Sequence, residues 1–323
     1  MSRLLCSPEY VTWPELQTFL AKGSPHRALR RDGELNHLHW ATTRRAQPGQ
    51  LLAFAIDHRS QMEALADAAQ APREKIGAFK RLAVEAAARV SDGRPGFGIL
   101  LDETYGREAL FDAAKHPLWI GRPVEQPGSR PLRFEGGPDI GSRLVEWPVT
   151  HTVKCLAFYH PDDEPTLKAE QARTLRGLHD AARRLGREYL VEIIAGKFGT
   201  LDADTVPRAL AELYEAGIRP DWWKLEPQAS PDAWREIADV IEANDPLCRG
   251  VVLLGLEAPE AELEQAFRAT VAAPIVRGFA VGRTLFADAA KRWFAGEMDD
   301  SAAADDMAER FGQLVALWEA VRA

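Results

Sequence analysis

Eight times between residues 51 and 281 a short, uninterrupted apolar run gives way to turn residues, and most of these runs are followed by a longer amphipathic stretch. The runs are 51–57, 97–102, 118–124, 153–159, 189–195, 221–225, 251–256 and 276–281. A strand with one face in water alternates apolar and polar residues. A run that is apolar at every position is covered on both faces, which is the habit of a parallel sheet enclosed by helices. Helical patterns over 73–90, 107–115, 166–185, 206–216, 231–243 and 259–271 supply the cover. Eight such units match the (β/α)8 barrel in number and size. In the third unit, residues 125–147 are rich in Gly and Pro and read as a long ordered loop with little helix; a last helix, 304–321, closes the chain. A doubly wound open sheet would carry a glycine-rich phosphate turn after its first strand. Here that strand runs into His58-Arg59-Ser60-Gln61 without a glycine, so the barrel is preferred.

The preceding residues follow another pattern. Residues 13–22 read as a short helix ended by Gly23, then 32–40 as an irregular segment, followed by polar Thr42-Thr43-Arg44-Arg45. The chain is accordingly divided into an N-terminal extension, 1–49, which packs on or links to something else, and a barrel domain, 50–323. His37 and His39 suggest a metal pair. No third ligand stands at a recognised spacing, so a docked loop with partly buried imidazoles is the preferred reading.

Composition excludes several functions. With 323 residues, 46% hydrophobic, the chain can bury one large core or two modest ones. No apolar run is long enough to span a membrane, and the first residues lack the apolar stretch of a secretory signal. Cys6, Cys155 and Cys248 are an odd, widely spaced set that frames neither disulfides nor a zinc site, and a reducing cytoplasm fits them best. The net charge of −8 argues against a nucleic-acid partner, while a few local Arg and Lys can still hold a small anion. No cofactor is called for, and a homo-oligomer is compatible with the sequence.

Polar residues inside buried strands are the informative ones. Asp57 and Arg59 close the first run and Asp102 the second; Arg122, Lys154, Glu192 and Lys224 lie in the third to sixth, Gly255 in the seventh, and Arg283 follows the eighth. In a barrel the C-terminal strand ends share one mouth, where active sites lie. Ion pairing for stability alone explains any one of these charges. It explains the whole set less well, because burying ions costs several kcal/mol each before pairing repays it. Lysine is scarce, with nine against 31 arginines among the 40 basic residues. Lys22, Lys75, Lys80, Lys115, Lys168 and Lys291 sit in helical or capping contexts and read as solvated, and Lys197 falls in a loop. Only Lys154 and Lys224 occupy apolar strand runs. Desolvation and a second nearby cation both lower a lysine pKa, and such a lysine forms Schiff bases with ketones. Glu192, on the strand between, could move the protons. Gly255, Gly282 and Arg283, with the helix N-terminus after the eighth strand, could hold a phosphate.

On these residues the chain resembles a known family. Ala55-Ile56-Asp57-His58-Arg59, Ile99-Leu100-Leu101-Asp102, the stretch from Val153 to Asp163, Leu190-Val191-Glu192-Ile193, Trp223-Lys224-Leu225-Glu226 and Val281-Gly282-Arg283 are similar, in order and spacing, to the tagatose-bisphosphate aldolase family of class I barrels. That resemblance implies Lys224 as the Schiff-base lysine, Glu192 as proton shuttle, Lys154 and Asp57 as the rest of the polar cluster, and Gly282 with Arg283 as a phosphate site. Glu34-Leu35-Asn36-His37-Leu38-His39 and the segment from Arg122 to Leu132 more narrowly resemble the C-terminal aldolase-like domain (DUF2090) of myo-inositol catabolism proteins, which follows a 5-dehydro-2-deoxygluconokinase domain. This implies cleavage of 5-dehydro-2-deoxygluconate 6-phosphate to dihydroxyacetone phosphate and malonate semialdehyde. It also implies a kinase domain as partner in cis or in trans, with residues 1–49 as the tail of that domain. The Gly-Ala-Gly-Asp motif of such kinases is missing, and the family's Ser-Ala-Gly of strand 7 is Leu254-Gly255-Leu256 here. Within this reading Arg59 binds substrate, Asp57 and Asp102 bind hydroxyls or position Lys154, and Arg122 takes the substrate carboxylate. A non-catalytic barrel that binds a sugar phosphate and regulates or scaffolds the kinase is the rival. A metal-dependent class II aldolase is disfavoured because only His58 stands at a strand end, with His151 and His160 flanking strand 4.

Overall fold

The computed structural model describes residues 31–255 and 260–322. The expected helix over 13–22, Gly23 and Lys22 lie outside them. After a first helix, α1 (Arg31–Thr43), the units are β1 (Leu51–Ala55), α2 (Ser60–Ala68), α3 (Lys75–Ser91); β2 (Phe97–Leu100), α4 (Arg107–Ala113); β3 (Trp119–Pro123), α5 (Ile140–Val145); β4 (Thr152–Ala157), α6 (Pro165–Arg184); β5 (Tyr189–Ile193), α7 (Thr205–Glu215); β6 (Trp222–Leu225), α8 (Pro231–Asn244); β7 (Gly250–Leu254), α9 (Glu260–Ala269); β8 (Val276–Val281), α10 (Arg283–Phe294) and α11 (Asp300–Arg322). Each strand pairs in parallel with the next and β8 pairs with β1, so the sheet closes into the expected (β/α)8 barrel. No helix among the described residues is long and apolar enough to cross a membrane.

The period of two along each strand sorts the apolar runs into two cores. Leu51, Ala53, Ala55, Leu100, Trp119, Leu190, Trp222, Val252 and Ala280 fill the barrel interior. Their neighbours in sequence, among them Leu52, Phe54, Val191, Trp223, Leu225 and Val251, face outward into the layer beneath the helices. In β6 this puts Trp222 and Lys224 inside, and Trp223, whose indole N–H donates to the Tyr214 hydroxyl at 2.8 Å, outside. The helices cover that layer with one face each. In α3 the buried positions Ile76, Phe79, Ala83, Val84, Ala86 and Ala87 recur at helical spacing. In α8, Pro231 opens the helix and the Ser230 hydroxyl accepts from the Ala233 N–H at 3.2 Å.

Two expectations are corrected. The segment 32–40, read as irregular, lies within helix α1, because its packing comes from contacts far along the chain. His37 meets the Asp245 carboxylate at 2.8 Å, Trp40 donates to Asp221 at 2.7 Å, and the Arg44 guanidinium pairs with the same Asp221. Asp221 and Asp245 precede β6 and β7, so α1 is seated on the N-terminal rim of the barrel. The His37 imidazole is thus buried by docking, whereas His39 is exposed. Lys80, read as solvated, is completely buried: its ammonium donates to the carbonyls of Ile56 (2.7 Å) and His58 (3.0 Å) and pairs with Asp102. Lys75, Lys115 and Lys291 are exposed, and Lys168 is half-buried against Glu212 at 3.0 Å. The loop expected over 125–147 is interrupted only by the short α5 and by an antiparallel bridge between Glu125 and Phe134.

Because Lys80 ties α3 to the ends of β1 and β2, Lys80→Met leaves the Asp102 carboxylate buried without its cation. Denaturant unfolding should show a loss of about 3–5 kcal/mol, with the double change Lys80→Met/Asp102→Leu recovering most of it.

Candidate active site at the C-terminal mouth of the barrel

The C-terminal strand ends surround a cavity of about 550 Å³, whose walls include Asp57, His58 and Arg59 after β1, Glu125 after β3, and Lys154 on β4. Glu192 on β5, Lys224 and Glu226 on and after β6, Gly255 after β7, and Gly282 with Arg283 after β8 complete the ring. Strand register sets the inner group. Glu192 lies beside Lys224 across the β5–β6 ladder, and Lys154 sits two residues before Leu156, the partner of Glu192 in β4.

The Lys154 ammonium is held by three carboxylates: Asp57 at 3.0 Å, Glu125 at 2.9 Å and Glu192 at 2.9 Å. The other oxygen of Glu192 pairs with the Lys224 ammonium at 3.0 Å. The other oxygen of Glu125 accepts from the Leu156 N–H at 3.1 Å. All five side chains are buried. Burial by itself pushes the Lys154 pKa down, but Asp57, Glu125 and Glu192 outweigh it and hold the ammonium well above the usual lysine value. In the same way burial would raise Asp57 and Glu192. The cations around them, Lys154 first, keep both below the ordinary carboxylate range. Lys154 is therefore a fixed positive charge, and Glu192 an ionised carboxylate shared between two lysines. Arg59 pairs with Glu125 at 3.1 Å and Glu135 at 3.0 Å, so it braces the β3 loop.

Asp102 and Arg122 stand elsewhere. Asp102 is drawn outward to Lys80 and accepts from the Tyr105 N–H at 2.8 Å. Arg122 pairs with Glu103 at 2.8 Å and lies over the Trp147 ring, 3.9 Å from its centre. Neither belongs to the cavity wall: strand alternation turns Arg122 outward with Ile120, and the helix-borne Lys80 draws Asp102 away from the mouth. Glu125 joins the site from the position directly after the apolar run 118–124; a charge at a strand end is the same signal that marks Asp57. His58, Lys197, Phe158 and Glu226 line the cavity without having been assigned a role. On the β8 side Gly282 precedes α10. A Cβ there would come within 2.3 Å of the Ala55 carbonyl oxygen and 2.6 Å of the His58 ring, so only glycine permits this approach. Among the described residues no group of three or more His, Cys, Asp and Glu side chains could hold a metal ion.

Burial lowers the His58 pKa to about 3 against the opposing pull of Asp57. The unfolded chain takes up that proton near the ordinary histidine value of about 6.5. The neutral imidazole therefore contributes stability fully above pH 6.5, and the contribution is lost as pH falls toward 3. His58→Gln should flatten the fall of unfolding free energy between pH 6.5 and 4.5, above the carboxylate range. His151 and His179, lowered to about 4 by burial, keep part of the slope. An unchanged slope in pH-dependent denaturation would contradict the assignment.

Solved structures share this fold. A crystal structure of a Corynebacterium glutamicum protein is similar with a TM-score of 0.55 at 21% identity, over 96% of this chain and 99% of that one. A candidate fructose-1,6-bisphosphate aldolase from Coccidioides immitis is similar with a TM-score of 0.53 at 16% identity, over 84% of this chain and 90% of that one. At such identities the likeness is one of fold. No curated protein matches the sequence. Residues 15–322 match the family described as "uncharacterized protein conserved in bacteria" (DUF2090), and the chain belongs to that family.

Proposed function

We propose that the chain is a Schiff-base (class I) aldolase that cleaves 5-dehydro-2-deoxygluconate 6-phosphate to dihydroxyacetone phosphate and malonate semialdehyde. The observation that carries the lyase reading is the Lys224 ammonium, buried at the mouth 3.0 Å from a Glu192 carboxylate whose second oxygen is fixed by Lys154. The substrate rests on the sequence resemblance, which also suggests a 5-dehydro-2-deoxygluconokinase domain as partner in cis or in trans.

In this mechanism Glu192 accepts a proton from Lys224, and the freed amine attacks the C5 ketone to give a carbinolamine. Glu192 returns the proton to the carbinolamine hydroxyl, which leaves as water, and the iminium forms. Glu192, ionised again, takes the C3 hydroxyl proton as the C3–C4 bond breaks, and holds it for the later protonation at C4. The bonding pair moves into the enamine, and malonate semialdehyde departs. Protonation of the enamine at C4 and addition of water release dihydroxyacetone phosphate and regenerate Lys224. Gly282, Arg283 and the first turn of α10 would take the phosphate. Lys154 keeps its charge throughout and so holds Glu192 in place. The iminium takes the place of the Lys224 ammonium beside a Glu192 that has returned its proton, so the net charge of the pair is the same before and after it forms.

Incubation with dihydroxyacetone phosphate and borohydride, followed by peptide mass spectrometry, should place the reduced adduct on Lys224. A label on another lysine, or none, would reject the mechanism. Glu192→Gln should lower kcat for malonate semialdehyde release by roughly 10²–10⁴-fold, the usual yield of a positioned proton carrier. A non-catalytic sugar-phosphate barrel would instead give a ligand-dependent thermal shift without cleavage.

A further inference from the structure

The cations at the mouth differ in what already holds them. Lys154 has three carboxylates and Arg59 has two. Lys197, which also lines the cavity, has no carboxylate partner among the described residues. It rests instead on aromatic rings, with its ammonium 4.4 Å from the centre of Phe158 and 5.5 Å from that of Phe198. Those two rings meet edge to face at 5.3 Å. The Arg130 guanidinium lies over Phe198 at 4.2 Å and is tied to Asp163. The platform is thus braced by the β3 and β4 loops.

The backbone under Lys197 is fixed at both ends. Glu226, two residues beyond Lys224, accepts from the N–H groups of Ala195 (2.7 Å) and Gly196 (3.0 Å). This fastens the start of the loop to the strand that carries the nucleophile. Farther on, the His160 ring meets the Thr200 carbonyl at 3.0 Å, and a Cβ on Gly199 would run into that ring at 2.4 Å. A lysine cation held on aromatic faces, with its donors still open to the cavity, is placed to receive an anion.

We propose that Lys197 is a specificity-determining residue: it takes an anionic group at the end of the substrate that departs as the aldehyde, opposite the phosphate at Gly282 and Arg283. The inference rests on the Schiff-base reading of Lys224. In the closed ring Lys197 follows β5, Lys224 lies on β6 and Arg283 follows β8, so an open-chain substrate held at its two ends passes the nucleophile between them. Lys197 thereby takes the role that the sequence reading gave to Arg122, which is turned away from the cavity. On the substrate proposed above that group is a carboxylate; a phosphate-bearing aldehyde offers the same charge, and the test separates the two.

The test runs the reaction in the condensation direction, with dihydroxyacetone phosphate as donor. Acceptors are succinate semialdehyde, glyceraldehyde 3-phosphate and neutral propionaldehyde, each with the wild type, Lys197→Gln and Lys197→Arg. The wild type should prefer one anionic acceptor, and which one identifies the group. Lys197→Gln should lower its kcat/KM relative to propionaldehyde by roughly tenfold to a hundredfold, mainly through KM, as expected for one charge-assisted contact. Lys197→Arg should retain most of the preference. No preference in the wild type, a preference that survives in Lys197→Gln, or an equal fall for all acceptors overturns the assignment, the last by showing a packing role only. Borohydride trapping separates the two inferences. A wild type that forms no adduct on Lys224 overturns the Schiff-base reading as well, whereas an adduct with unaltered preference overturns Lys197 alone.

Discussion

Three carboxylates from three different strand ends converge on one ammonium, and the geometry of the mouth follows from that contact. Asp57, Glu125 and Glu192 could not be ionised side by side in a buried site without Lys154 among them, and Lys154 could not stay charged there without them. Two of the three carboxylates have a second task for the oxygen left over. Glu192 turns one to Lys224, and Glu125 turns one to the Leu156 N–H. Arg59 extends the network into the β3 loop through Glu125 and Glu135. Glu192 is therefore held by Lys154 from one side and faces the Lys224 ammonium on the other. A loosely held carboxylate would lose that orientation.

A second tier of contacts connects this network to the rest of the barrel. Lys80 reaches from α3 to the carbonyls of Ile56 and His58, on either side of Asp57. Glu226 links the β6 end to the β5 loop, and Gly282 lets β8 approach the Ala55 carbonyl closely enough to bring Arg283 to the cavity. At the opposite end α1 is anchored through Asp221 and Asp245. Many of the buried polar residues lie in these two rims, with the Trp119 and Trp222 layer between them.

The strand positions were readable from sequence because an apolar run covered on both faces has few alternatives. Lys154, Glu192 and Lys224 were readable for the same reason: a charge in such a run must have a partner. Lys80 was not, because a lysine on an amphipathic helix has the same local pattern whether its head group reaches water or a buried Asp102. The segment 32–40 read as irregular because its helix is stabilised by His37, Trp40 and Arg44 meeting residues some 200 positions away. Lys197 lay in a loop, where periodicity gives no information about direction, and Glu125 carried only the signal of a charge at a strand end.

The sequence by itself determined the eightfold alternation, the closed parallel sheet and the three strand-borne charges Lys154, Glu192 and Lys224, since burial and period dictate these locally. Only the tertiary structure decided which charges share the mouth. It turned Asp102 to Lys80 and Arg122 to Glu103, brought Glu125 to Lys154, and set Lys197 on Phe158 and Phe198. The physical reason is that a charge settles beside whichever counter-charge closure of the barrel brings within a few ångströms, and that distance is written in no single stretch of the chain.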